Sequence, residues 1–206
     1  ELKAKEKISL REIKFPVRKA ISGAVGESKG INCAEFMRYS VFPQKQKGFS
    51  MAELRIPRGD IAADKLTQLA DLERDFPGIE FRTSQNQNLI ISWVNTRDLP
   101  RLSRALGMIL DNSLYPRTLN DVVACKGALT CNLGLCNSPA LAEEIEKMVA
   151  REFIGTEIFN KLDIKLNGCP NACGQHPIGK IALHGLVKRI DGRLAPSLSH
   201  SDCGTR

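Results

Sequence analysis

"NLIISWV", residues 88–94, is apolar at nearly every position, so both of its faces seek burial. Such a run reads as a strand in the middle of a sheet, where each face is covered. Its surroundings supply the partners. Upstream, Ala52, Leu54 and Ile56 alternate with Glu53 and Arg55, which reads as a strand with one wet face. "PRGD" ends that strand, and Asp60 is placed to cap the helix that follows. Leu66, Leu69, Leu72 and Phe76 fall on one helical face, and Pro77 with Gly78 stops the helix. Ile79 and Phe81 begin a second strand, which the polar run "RTSQNQN" separates from the apolar one. A second helix starts near Thr96, with Leu99, Leu102, Leu106 and Ile109 along one side. From residue 51 to 111 the order is strand, helix, strand, strand, helix. This is an α+β half-domain of ferredoxin-like type whose last strand is missing or supplied from elsewhere.

The flanks differ in character. Residues 1–40 are basic, lack sustained periodicity and contain "SGAVGESKG", Ser22 to Gly30, which reads as a connecting arm. The half-domain then takes residues 41–113, and residues 114–206 form a second α+β domain rich in glycine, cysteine and short elements. There Ser138 and Pro139 read as a cap and first-turn proline for a helix with Leu141, Ile145, Met148 and Val149 as its buried stripe. "LDIKL" is a strand running into Cys169, and residues 180–196 read as a hairpin turning at Asp191 and Gly192.

Composition narrows the function. The 206 residues are 42% hydrophobic and 26% charged, as in a globular chain that buries a core. The net charge of +7 suits an anionic partner. Nucleic acid is disfavoured, because aromatic residues make up only 5% of the chain and no basic stripe is interleaved with aromatics. No run of about 18 apolar residues exists to span a bilayer, and no secretory signal precedes the first elements, so a cytoplasmic location is expected. The first residue, Glu1, points to a processed product or a piece of something longer.

Seven cysteines without a signal peptide read as thiols or metal ligands rather than disulfides. Cys125 and Cys131 form a CxxxxxC pair, and Cys169 and Cys173 form a CxxxC pair, each pair with glycine or proline close by. Three readings compete: buried thiols, a structural zinc, and an iron-sulfur cluster. Zinc knuckles favour two to four intervening residues, and the first pair is wider than that. A cubane is larger than one ion and accepts wider, uneven spacing.

These pairs, with "NGCPNACGQH" around the second, resemble the siroheme and 4Fe-4S module of the assimilatory sulfite and nitrite reductases. "FPQKQKG" at 42–48 and "RTSQNQNLII" at 82–91 resemble two further motifs of that family, in the same order, so the resemblance covers residues 42 to about 190. It implies the cluster-bearing second half of a pseudo-symmetric enzyme that reduces sulfite to sulfide or nitrite to ammonia. Cys125, Cys131, Cys169 and Cys173 would ligate the cluster, and Cys173 would also bridge to the siroheme iron. Lys45, Gln46, Arg82, Asn86, Gln87, Asn88 and Asn171 are the implied siroheme contacts. Implied partners are the small oxyanion substrate, the missing N-terminal half, and an electron donor such as ferredoxin or a flavoprotein.

Other features stand apart from that pattern. Cys136 is expected to pack at the helix start, and Cys33 and Cys203 have no partner at a meaningful spacing. His176 is expected to orient its loop, and His184 to be structural. The tail from Ala195 onward does not resemble the glycine-containing strand that would continue the fold. The basic residues that grip the substrate in the first half of such enzymes have no counterpart, so the isolated chain is expected to reduce little or no sulfite or nitrite and to be prone to form a homodimer. The other readings are a compact single-half sulfite reductase, a non-catalytic iron-sulfur electron carrier, and a zinc-stabilised interaction module.

Overall fold

The computed structural model describes residues 31–110 and 115–201, which fold into two units, each built on a four-stranded sheet with its own apolar core. The first unit contains α1 (Cys33–Tyr39), β1 (Val41–Pro43), β2 (Phe49–Leu54), α2 (Ala63–Asp75), β3 (Glu80–Thr83), β4 (Leu89–Asn95) and α3 (Leu99–Ile109). Its sheet is antiparallel with order β1-β2-β4-β3. The apolar run thus lies between two strands, and its Ile91 and Val94 are buried. The outer place beside β2, left open in the sequence reading, is filled by β1 from the N-terminal side.

Leu69, Leu72 and Phe76 of the second helical segment face the core with Leu99, Leu102, Leu106 and Ile109 of α3, while Leu66 is half exposed. Asp60 does not cap α2. That helix starts at Ala63 without a side-chain cap, and the Asp60 carboxylate instead meets the Lys126 ammonium. The expected arm also ends earlier than residue 40. Asn32 caps α1 by accepting the Ala34 amide at 2.9 Å, and Phe36 is fully buried. A helix this short offers too few turns to show a period. The stretch Ser22 to Gly30 lies outside the described residues.

The second unit contains β5 (Val123–Ala124), α4 (Ser138–Glu152), β6 (Ile164–Asn167), β7 (Ile181–Ile190) and β8 (Arg193–Ser201). In the order β5-β6-β7-β8 the first two pairings are parallel and the last antiparallel. The hairpin turns at Asp191 and Gly192, both with positive φ (49° and 79°), as a two-residue turn of the primed type requires. Asn137, not Ser138, caps α4, accepting the Ala140 amide at 3.2 Å. The buried stripe of α4 is rotated from the expected one. Ala142, Glu146 and Val149 are buried, Leu141 and Ile145 partly so, and Met148 is exposed.

Glu146 explains the rotation. Its carboxylate reaches across to the first unit, 2.9 Å from the Arg55 guanidinium and 2.5 Å from that of Arg58. The face of β2 expected to be wet is therefore an interface. Glu53 is fully buried there, accepting from Arg117 Nε at 2.6 Å and from Asn88 Nδ2 at 3.1 Å. The Asp121 carboxylate accepts from Asn88 Nδ2 and the Arg117 amide, both at 2.7 Å. An edge-to-face cluster of Tyr39, Tyr115 and Phe159 extends the seam.

Removing one partner of a buried ion pair leaves the other charge uncompensated, a loss of about 3–5 kcal/mol. Glu146→Ala should lower unfolding stability by that amount in urea titrations, and Glu143→Ala on the exposed side of the same helix should change it little. Burial raises the Asp121 carboxyl from 3.8 to about 6, although the Arg117 amide, Asn88 and Arg55 pull it down. The folded state thus favours the protonated acid. Its contribution to stability is full below 3.8 and is lost as the pH rises through about 6. The difference amounts to about 3 kcal/mol. Asp121→Asn should flatten that part of the pH dependence when urea midpoints are compared across the interval.

Candidate functional site

Parallel pairing of β5 with β6 brings their C-terminal ends together, with Ala124 opposite Leu166. Cys125 leaves β5 directly, and its amide donates to the Leu166 carbonyl at 3.1 Å. Cys169 follows β6 after Gly168. The Gly168 carbonyl accepts from the amides of Leu135 and Cys136 at 2.8 and 2.9 Å, so the loop carrying Cys125 and Cys131 is fastened to the loop carrying Cys169 and Cys173. Only glycine fits at this crossing. A Cβ on Gly168 would stand 2.5 Å from Gly127 Cα, and one on Gly185 of β7 would stand 2.3 Å from the Gly168 carbonyl oxygen.

Within the second loop the buried Asn167 donates to the Asn171 carbonyl at 2.5 Å and accepts from the His176 amide at 3.4 Å. Cys169 is buried, Cys125 half-buried, and Cys131, Cys173 and Asn171 are exposed, so this end of the sheet presents sulfur on an open surface. Leu129, Leu133 and Ile178 are exposed on the same loops. Among the described residues, no three Cys, His, Asp or Glu side chains are arranged to hold a single metal ion.

Cys136 is not aimed at these pairs: its thiol donates to the Ser197 carbonyl at 3.3 Å, against the hairpin. Cys33 lies on α1 in the other unit, and Cys203 is outside the described residues. The rings of His176 and His184 are 4.9 Å apart and tilted by 30°. Burial, with the neighbouring His184, lowers the His176 pKa below 6.5.

A cleft of about 590 Å³ opens between the units, lined among others by Asn86, Arg117, Asp121, Lys161, Lys165 and Lys180. Lys165, on β6, donates to Asn86 Oδ1 at 3.3 Å and to Gln175 Oε1 at 3.2 Å. Burial lowers its pKa from that of an ordinary lysine. Gln175 Nε2 in turn donates to the Gln85 carbonyl at 3.0 Å. The polar β3–β4 turn is thereby joined to the segment just past Cys173.

The seven residues expected to contact a macrocycle are thus dispersed. Asn86 faces the cleft. Gln87, at φ 64°, donates to the Ala124 carbonyl at 2.9 Å and accepts the Ala124 amide at 3.1 Å, so its side chain acts as a pairing partner for β5. Asn88 is buried, and its amide is fully engaged by Glu53, Asp121 and the Ile56 amide. Lys45 and Gln46 are exposed on the β1–β2 turn, and Arg82 is exposed and paired with Glu80 at 2.7 Å. Asn171 stands beside Cys173 on the exposed loop. Lys165 and Gln175 escaped the sequence reading. A lone lysine in the apolar strand "LDIKL" was the available signal.

With this geometry in hand, similarity to known proteins becomes specific. Residues 42–109 match the family described as nitrite/sulfite reductase ferredoxin-like half domain. The chain is 29% identical over 184 residues to ferredoxin–nitrite reductase of Synechococcus elongatus, covering 86% of this chain and 35% of that protein. It is 32% identical over 145 residues to the NADPH sulfite reductase hemoprotein beta-component of Nitrosomonas europaea, covering 67% of this chain and 24% of that protein. The solved structure of Mycobacterium tuberculosis NirA protein shares the fold, with a TM-score of 0.62 and 20% identity over 90% of this chain and 32% of that one. The chain therefore spans about a third or less of the length of these relatives. The half-domain match and the sequence shared with both kinds of reductase establish that this chain belongs to the nitrite and sulfite reductase family.

Proposed function

We propose that the chain is the cluster-bearing half of a siroheme-dependent reductase that takes sulfite to sulfide or nitrite to ammonia, with Cys125, Cys131, Cys169 and Cys173 as ligands of a 4Fe-4S cluster. The observation carrying this reading is the crossing at Gly168, which fastens both cysteine-bearing loops at the ends of two parallel strands. The donor set suits the group in kind and number: four thiols, carried by two loops that the Gly168 crossing ties together. When bound, the cluster and siroheme would supply single-electron transfer and a substrate-binding iron.

The remaining roles belong to the protein. Cys173, exposed at the end of its loop, would be the cluster ligand that also serves the siroheme, and Asn171 lies beside it. Asn86 and Lys165, which line the cleft together, would hold cofactor carboxylates, the amide by hydrogen bonding and the ammonium by charge. Lys45, Gln46 and Arg82, all exposed, would supply further polar contacts to the cofactor. Gln87 and Asn88 act one step removed, Gln87 by holding the strand that delivers Cys125 and Asn88 by holding the two units together. The basic groups that grip the oxyanion and deliver protons belong to a counterpart half. A ferredoxin-type donor is supported by the name of the cyanobacterial relative.

Anaerobic reconstitution with iron and sulfide tests this reading. The chain should take up about four irons and four sulfides. Serine at Cys125, Cys131 or Cys169 should lower that occupancy sharply, and Cys136→Ser should leave it unchanged. Uptake of one tightly held zinc with no labile sulfide would sink the proposal.

A further inference from the structure

The sulfur of Cys125 is already engaged. The Gly168 amide donates to Sγ at 3.1 Å, and the Ser138 hydroxyl oxygen lies 3.4 Å from it. The same hydroxyl donates to the Cys125 carbonyl at 2.8 Å. Ser138 is 1% exposed and occupies the first position of α4, where Asn137 performs the capping. Both partners of this buried hydroxyl therefore belong to Cys125.

A hydroxyl has one proton to donate and here faces two acceptors. With Cys125 as a thiol the pattern closes, because S–H donates to Oγ while O–H donates to the carbonyl. A thiolate has no proton to give, so the same contact becomes favourable only when the hydroxyl turns its proton toward sulfur. The Gly168 amide cannot turn away. Gly168 is anchored on the far side of its Cα, where its carbonyl accepts the Leu135 and Cys136 amides, and its close contacts with Gly127 and Gly185 leave the residue little room to rotate.

We propose that Ser138 is a positioning residue for Cys125, giving the ligating thiolate a second hydrogen bond beside that of Gly168 and raising the reduction potential of the cluster it holds. This rests on the cluster assignment above. One-electron reduction increases the negative charge on the ligating sulfurs, and hydrogen-bond donors stabilise the more negative state more strongly. Loss of the hydroxyl therefore disfavours the reduced state.

The test uses the 206-residue chain, reconstituted anaerobically, with the midpoint for one-electron reduction by dithionite followed by EPR. Ser138→Ala should lower the midpoint, by up to a tenfold change in the one-electron equilibrium, about 59 mV. Ser138→Thr, which keeps the hydroxyl, should restore it. Asn137→Ala removes the neighbouring cap without touching Cys125, so it should weaken the helix and leave the midpoint in place. If Ser138→Ala assembles no cluster while its circular dichroism matches that of the wild type and Ser138→Thr assembles one, the hydroxyl is required for ligand placement, which supports the inference. Equal midpoints in wild type and Ser138→Ala, or an equal shift in Asn137→Ala, overturn it. A wild-type chain that takes up no iron and sulfide overturns the cluster assignment itself, a result distinct from an intact cluster indifferent to Ser138.

Discussion

Asn88 sits where the two units meet, and its amide serves both. Its oxygen accepts the Ile56 amide, and its nitrogen is shared between the Glu53 and Asp121 carboxylates. Two buried carboxylates that close would repel each other without a donor between them. Asn88 and Arg117 supply donors, while Arg55 is matched instead to Glu146. Polar groups removed from water must be satisfied within the protein, so this seam specifies one docking of the units.

The arrangement of the site follows from that docking. With the seam closed, the β3–β4 turn lies against β5 and β6. Gln87 can then pair with Ala124, Asn86 can accept from Lys165, and Gln85 from Gln175. Each bond joins the ferredoxin-like unit to a strand or loop that leads to a cysteine. The half-domain is therefore more than a neighbour of the cysteine loops: it fixes the strand that delivers Cys125 and walls the cleft beside Lys165.

At the cysteines the constraint is steric. The stacking of Gly127, Gly168 and Gly185 brings backbone from three segments closer than any side chain would permit. That closeness lets the Gly168 amide reach the Cys125 sulfur and its carbonyl hold the first loop. Backbone, with little help from long side chains, places these thiols rigidly, as the proposed cluster would require of its ligands.

Much of this was legible in order and period. The apolar run 88–94 read as a central strand, the hairpin announced itself at Asp191 and Gly192, and the two cysteine pairs marked loops at strand ends. These features are local, because pattern, turn chemistry and spacing are written in consecutive residues. The wet face assigned to Glu53 and Arg55 and the stripe assigned to α4 were decided elsewhere. Alternation says that two faces differ, but not what covers the polar one. Only when residues distant in sequence meet, Glu53 with Arg117, Arg55 with Glu146 and Asn88 with Asp121, does a charged face become an interface and a polar turn become a tie.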